Sequence, residues 1–182
     1  MTFNSKYGKI IYERRNEKME KYDSVFDSQN ILYIRVNEKL LEDYLLMLND
    51  PEVQKGISHT QRVYTYEQDL QWVNEKLAKN APVFSMIEKI TGEFIGNIEI
   101  MNIRDDVGEI GISITPLKQG KGYGQEAMKA IINYALTVMK LTNLDLNVHK
   151  TNPSAIHCYE KVGFVADGVG KTDDDLHMTL HR

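Results

Sequence analysis

A glycine-rich hexapeptide, Gln119-Gly120-Lys121-Gly122-Tyr123-Gly124, lies between an apolar alternating run, Glu109 to Ile114, and an amphipathic run, Gln125 to Met139. Glycines between a strand and a helix let successive backbone N–H groups turn toward one point with no Cβ in the way. The first amides of the helix have no intrahelical acceptor and carry the positive end of its dipole. Such a junction is an anion site, suited best to a phosphate.

Composition narrows the partners. Of 182 residues, 22 are Lys or Arg and 26 are Asp or Glu, a net charge of −4, so wholesale binding of nucleic acid is not expected. The single cysteine, Cys158, rules out an intramolecular disulfide and points to a reducing compartment. No apolar run reaches the length of a membrane span, and Met1 to Arg15 lacks the apolar centre of a signal peptide. A cytoplasmic protein with no membrane partner is expected.

Along the chain, residues 1–30 read as an N-terminal extension and 31–182 as one domain. Within the extension, Lys9 to Tyr12 is a candidate strand and Glu13 to Tyr22 a charged helix or arm, open to a homodimer contact. Ile31 to Val36 reads as the first core strand. Glu38 to Leu48 reads as a helix stopped by Asn49-Asp50-Pro51. Thr65 opens a second helix, with Leu70, Val73 and Leu77 on one face and Trp72 beside them. Strands follow at Pro82 to Ile87, Phe94 to Met101 and Glu109 to Ile114, joined by short turns that imply antiparallel neighbours. The helix from Gly122 to Met139 has Ala127, Met128, Ile131, Ala135 and Val138 as its buried stripe, and Leu144 to Val148 is the next strand. That strand–helix–strand unit is a parallel crossover. Asn152 caps a further helix, Pro153 sits at its first position and Gly163 ends it. Phe164-Val165 and His177 to Leu180 begin and complete the last strands. The fold class is α/β, a mixed, mostly antiparallel twisted sheet with helices on both faces.

A second motif, Asn152-Pro153-Ser154-Ala155-Ile156-His157-Cys158-Tyr159-Glu160-Lys161-Val162-Gly163-Phe164, follows the first by about thirty residues. With Gln119-x-x-Gly122-x-Gly124 upstream, the chain resembles the GNAT superfamily of N-acetyltransferases over roughly residues 31–166. Within it, the chain is most similar to the branch that acetylates ribosomal-protein N-termini, polyamines and some antibiotics. The resemblance implies acetyl-coenzyme A as cosubstrate and a primary amine as acceptor, attacked directly in a ternary complex. It implies that the amides of Gly120, Lys121, Gly122, Tyr123, Gly124 and Gln125 hold the pyrophosphate, with Gln119 and Asn152 also among the cofactor-binding residues. It further implies that the backbone of Ile112, Ser113 and Ile114 pairs with the pantetheine arm, with that strand splayed from its parallel neighbour near 144–148.

Tyr159 matches the tyrosine that protonates the departing sulfur in this family; its plain alternative is a core tyrosine on the face shared by Ala155, Ile156 and Val162. Glu109, at the start of the central strand, is chosen as the base acting through water, with Glu99 as the substitute. Its alternative is a solvated strand-end carboxylate. Cys158 reads as packing, His157 as exposed or structural, and His149 as structural with a place near the cleft. His177 and His181 are too isolated for a metal site, and no metal is expected. Tyr64, Tyr66 and Trp72 fall where this branch builds its acceptor pocket, although Trp72 also reads as core. Asp173-Asp174-Asp175 reads as a solvated turn. Gly168 to Leu176 is shorter than the aromatic loop of the branch, which leaves the acceptor wall open.

Two rival readings remain. Gly122-x-Gly124-x-x-Ala127 with Asp145 downstream formally fits a dinucleotide fingerprint and hence a nicotinamide-dependent oxidoreductase. The five residues between strand and glycines, and the alternation of that strand, oppose it. The other rival is a catalytically inactive acyl-coenzyme A sensor, which retention of both motifs argues against.

Overall fold

A computed structural model describes residues 22–181. Among these, eight strands form one sheet in the order β1-β2-β3-β4-β5-β6-β8-β7. They are β1 (Ser24–Asp27), β2 (Ile31–Arg35), β3 (Val83–Glu88), β4 (Phe94–Arg104), β5 (Val107–Ile114), β6 (Asn143–His149), β7 (Val165–Val169) and β8 (Asp175–His181). Every neighbouring pair is antiparallel except β5 with β6. A doubly wound parallel sheet is therefore excluded, and the dinucleotide reading falls with it.

The helices are α1 (Leu41–Leu48), α2 (Pro51–Ile57), α3 (Tyr66–Ala78), α4 (Tyr123–Thr137) and α5 (Pro153–Lys161). They cover both faces of the sheet. In β2, Ile31 and Tyr33 point into one core with α4, while Leu32 and Ile34 point into another with α1 and Val73 of α3. Burial on both faces explains why β2 reads as an apolar run from Ile31 to Ile34 and why β3 is apolar from Val83 to Ile87 but for the buried Ser85. The stripe of α4 holds at Ala127, Met128, Ile131 and Ala135. Val138 does not share it: the helix ends at Thr137 and Val138 is 61% exposed beyond the last turn. Leu77 departs likewise, at 43% exposed in the last turn of α3, where Asp69 and Val73 form the buried row instead.

Local chemistry sets the helix starts. Thr65 and Gln68 form a reciprocal capping box on α3. Asp50 accepts from the amides of Glu52 and Val53, so the Pro51 that stops α1 also begins α2, an element not anticipated. Asn152 accepts from the Ala155 amide at the start of α5.

Residues 24–27, placed in the extension on sequence grounds, form β1. Phe26 stacks on Tyr33 with centroids 4.3 Å apart and on Tyr134 of α4 at 4.7 Å, which seats this short strand. The candidate strand at 9–12 and nearly all of the candidate arm at 13–22 lie outside the described residues. No helix among the described residues is long and apolar enough to cross a membrane.

Candidate active site

The parallel ladder creates the site. Among the described residues, β5 and β6 pair at Val107 with Asn143, Gly108 with Leu144 and Glu109 with Asp145, and the pairing stops there. Both strands run on, to Ile114 and His149, so they part in a V. The gap opens into a cleft of about 1530 Å³. Of the site residues expected from sequence, it gathers Glu109, Ile112, Ser113, Ile114, Gln119, Gly120, Gly122, Gly124, Gln125, Asn152 and Tyr159. Lys121 and Tyr123 are not on its wall.

The anion end is built by the loop from Thr115 to Gly122. A single 3₁₀ turn, Pro116–Lys118, leads from β5, and the Gln119 carboxamide donates back to the Ile114 carbonyl at 2.9 Å. Gly120 and Gly122 take left-handed conformations, φ +70° and +87°, and Gly122 caps α4. A Cβ at either position would meet no atom within 4 Å, so the backbone conformation demands glycine and the space beside it stays open. Open volume, glycine backbone and a helix N-terminus together fit a pyrophosphate. Gly124 differs: a Cβ there would meet Ile114 and Cys158 at ordinary van der Waals distance, so this position faces packed side chains and not open space. Cys158, half-buried beside it, also lines the cleft, its thiol pushed up by burial and only partly offset by Lys161.

Lys118, Glu88, Glu93 and Tyr123 lock this loop to the sheet. The Lys118 ammonium donates to Glu88 and Glu93, each at 2.7 Å, and the Tyr123 hydroxyl also donates to Glu88. Burial works to raise the Glu88 carboxyl, but hydrogen bonds from Lys118, Thr91 and Tyr123 and the Lys118 charge hold it at about 2. The Tyr123 side chain is thereby committed to a structural network, which leaves only its backbone for an anion. The Asn152 carboxamide oxygen is committed in the same way to its capping bond.

Tyr159 projects from α5 into the cleft, with Phe164 edge-on at 6.4 Å. Burial, with a smaller push from Cys158, raises its phenol well above the ordinary range. It remains a proton donor throughout the neutral range. Glu109 stands at the foot of the V. Its carboxylate accepts from Lys171 at 2.5 Å, Asn102 at 2.7 Å and Asn147 at 3.2 Å. Burial alone would raise it; the three donors outweigh burial and hold it below the usual carboxylate range. Glu109 lies two residues inside β5, not at its start, and the solvated strand-end alternative is overturned, since Glu109 is 6% exposed. Its proton affinity is lower than a strong base needs. Glu99, the substitute, is paired with Lys76 at 2.6 Å.

Another wall of the cleft comes from α2, α3 and the segment between them. Tyr64 and Trp72 line it, and Trp72 also packs edge-on to Tyr44 at 6.1 Å. Tyr66 faces solvent at 49% exposure. Asp69, which in the sequence reads as a first-turn acid complementing the dipole of α3, lines this wall while 4% exposed. Its Oδ2 is the one buried side-chain polar atom without a hydrogen-bond partner among the described residues, and burial raises its pKa. Asp175 corrects the reading of 173–175 as a solvated turn: it is 6% exposed and faces His59 and His149. Asp145, the ribose ligand of the dinucleotide reading, is buried and paired with Arg104 at 2.7 Å.

Comparison with known proteins agrees with this geometry. Residues 31–165 match the family model described as an acetyltransferase (GNAT) domain. The chain is 32% identical over 97 residues to a spermidine N(1)-acetyltransferase of Vibrio cholerae, covering 52% of this chain and 56% of the relative. It is 40% identical over 79 residues to the Escherichia coli K12 enzyme of the same name, covering 42% of each. The chain thus spans about half the length of these curated relatives. A crystal structure of a GNAT-family acetyltransferase from Bacillus anthracis superposes with a TM-score of 0.75 at 22% identity, over 85% of this chain and 96% of that one. The V. cholerae spermidine N-acetyltransferase in complex with CoA and spermine gives 0.75 at 21%, with the same coverage.

Proposed function

This chain belongs to the acetyltransferase (GNAT) family, and from that premise we propose that it moves an acetyl group from acetyl-coenzyme A to a primary amine of a polyamine. Asp69 carries the choice of acceptor. A buried carboxylate oxygen without a partner is costly, and an ammonium group is the ligand that relieves the cost most fully. The names of the V. cholerae and E. coli relatives support the same acceptor class.

When bound, acetyl-coenzyme A supplies an activated thioester whose sulfur is a good leaving group. The amides at the start of α4 and the glycine backbone hold its pyrophosphate end. Ile112 to Ile114 pair with β4 on one side only, and their side toward β6, beyond the end of that ladder, takes up an extended arm as an added strand would. These contacts fix the reacting groups together, so that positioning supplies part of the barrier reduction without a covalent intermediate. Tyr159 gives its proton to the departing sulfur. Glu109 stays ionised and steadies the positive charge that develops on the attacking nitrogen, whose surplus proton leaves to water.

The test is an acceptor screen that follows free thiol release, with spermidine, spermine, a peptide N-terminus and free amino acids. Polyamines should react with the highest kcat/KM. Asp69→Asn should raise the polyamine KM about tenfold, the scale of one lost charge-assisted contact, and spare the acetyl-coenzyme A KM. Preference for amino acids, or an unchanged polyamine KM in Asp69→Asn, would reject the polyamine assignment.

A further inference from the structure

Three residues far apart in sequence converge at the mouth of the cleft. His59 lies in the segment between α2 and α3, His149 ends β6, and Asp175 begins β8 as the cross-strand partner of His149. His59 Nε2 is 3.0 Å from Asp175 Oδ1, and His149 Nδ1 is 3.2 Å from the same oxygen. One ligand atom from each of the three residues lies within 4.8 Å of the others. The two imidazoles meet edge to face with centroids 4.1 Å apart.

We propose that His59, His149 and Asp175 form a binding site for a zinc-class divalent cation. Ligand atoms about 2.1 Å from a tetrahedral metal lie about 3.4 Å from one another. The observed separations of 3.0 and 3.2 Å come within a few tenths of an ångström of that edge. Two imidazoles and one carboxylate select zinc and its neighbours, nickel and cobalt, over magnesium or calcium, which take oxygen ligands.

The surroundings resemble those of a metal centre. His59 Nε2 faces both Asp175 oxygens, at 3.0 and 3.1 Å, and the Thr172 hydroxyl at 3.1 Å, more acceptors than one N–H can serve well. Asp175 Oδ2 accepts from the Thr172 amide at 3.1 Å and hydroxyl at 3.0 Å, which fixes the carboxylate as outer-shell partners fix a ligand. Asp175 and His149 are buried, with side chains 8% and 13% exposed, while the His59 side chain is 40% exposed. The buried pair forms a rigid floor and leaves a fourth position toward solvent. A cation here ties the segment carrying His59 to the sheet and places positive charge at the cleft mouth. It therefore opposes entry of a cationic acceptor.

The experiment titrates the full chain, stripped with chelator, with zinc chloride in a calorimeter and with cobalt chloride by visible absorption. Native mass spectrometry counts the ions bound. One zinc per chain, a tetrahedral cobalt spectrum and a rise in thermal stability are expected. His59→Ala, at an exposed position, should weaken zinc binding at least tenfold and abolish the cobalt spectrum while the fold persists by circular dichroism. His177→Ala, at a histidine outside the cluster, should bind as the parent does. No zinc binding, or binding unchanged in His59→Ala, overturns the site whatever the chain acetylates.

Discussion

Glu109 and Asp145 are the last residues at which β5 and β6 face each other, and both are buried at the point where the strands separate. Each holds a cation that reaches in from a more exposed position, Lys171 for Glu109 and Arg104 for Asp145. The fork of the sheet is thus pinned by ion pairs, one facing the cleft and one part of the scaffold.

Glu109→Gln removes the charge at that fork and keeps a side chain of similar shape for Asn102 and Asn147. The expected outcome is a fall in kcat of about 10-fold to 100-fold, less than the loss of a full proton acceptor, because the native carboxyl, held below its usual range, contributes its charge. The acetyl-coenzyme A KM should not move. Steady-state kinetics at saturating acceptor check both.

Tyr159→Phe keeps the ring that packs beside Phe164 and deletes the proton donor. Turnover should drop by roughly 100-fold or more with unchanged binding of coenzyme A in a calorimeter. Full turnover would leave Tyr159 as a packing residue of α5.

Gly122 separates conformation from charge. Gly122→Asn accepts the left-handed backbone most readily among larger side chains, whereas Gly122→Asp adds a carboxylate beside the phosphate position. Both should lose about 1 kcal/mol of stability or somewhat more from the positive φ. Only Gly122→Asp should also lose most of its affinity for acetyl-coenzyme A, read as the absence of a ligand-induced thermal shift.

Lys118→Met tests the network under the loop. Removing the cation strands Glu88 and should cost about 3 kcal/mol at neutral pH in urea denaturation. The Glu88 carboxyl sits at about 2 in the folded chain against an ordinary 4.5. A folded value below the unfolded one stabilises the fold fully above 4.5, and the contribution fades as pH falls toward 2. The gap between parent and Lys118→Met should therefore narrow over that window.

Local signals were the ones the sequence displayed. Asn152-Pro153 marks the start of α5 and Thr65 that of α3, because a cap acts within one helical turn. Gly120 and Gly122 announce the anion loop because their backbone angles exclude most other residues. Partnerships across long separations were silent. His59 sits in the polar stretch Ser58 to Arg62 and shows its place only when Asp175, 116 residues away, is beside it. Asp175 follows two other aspartates, a composition that reads as solvent, although β8 buries it. Lys171 lies in a glycine-rich turn yet reaches Glu109 and resets its proton affinity. Asp69 looked like an ordinary first-turn acid of α3, and its helical phase brings it inside.

The V between β5 and β6 has one more consequence. Unpaired strand edges normally lie at the rim of a sheet, where they invite other chains to add on and aggregate. Here the unpaired stretch beyond Glu109 lies in the middle of the sheet, recessed between neighbouring strands and helices. Such a place suits a slender extended molecule better than the strand of another folded protein. The chain keeps the stickiness of an edge for its ligand and withholds it from its own kind.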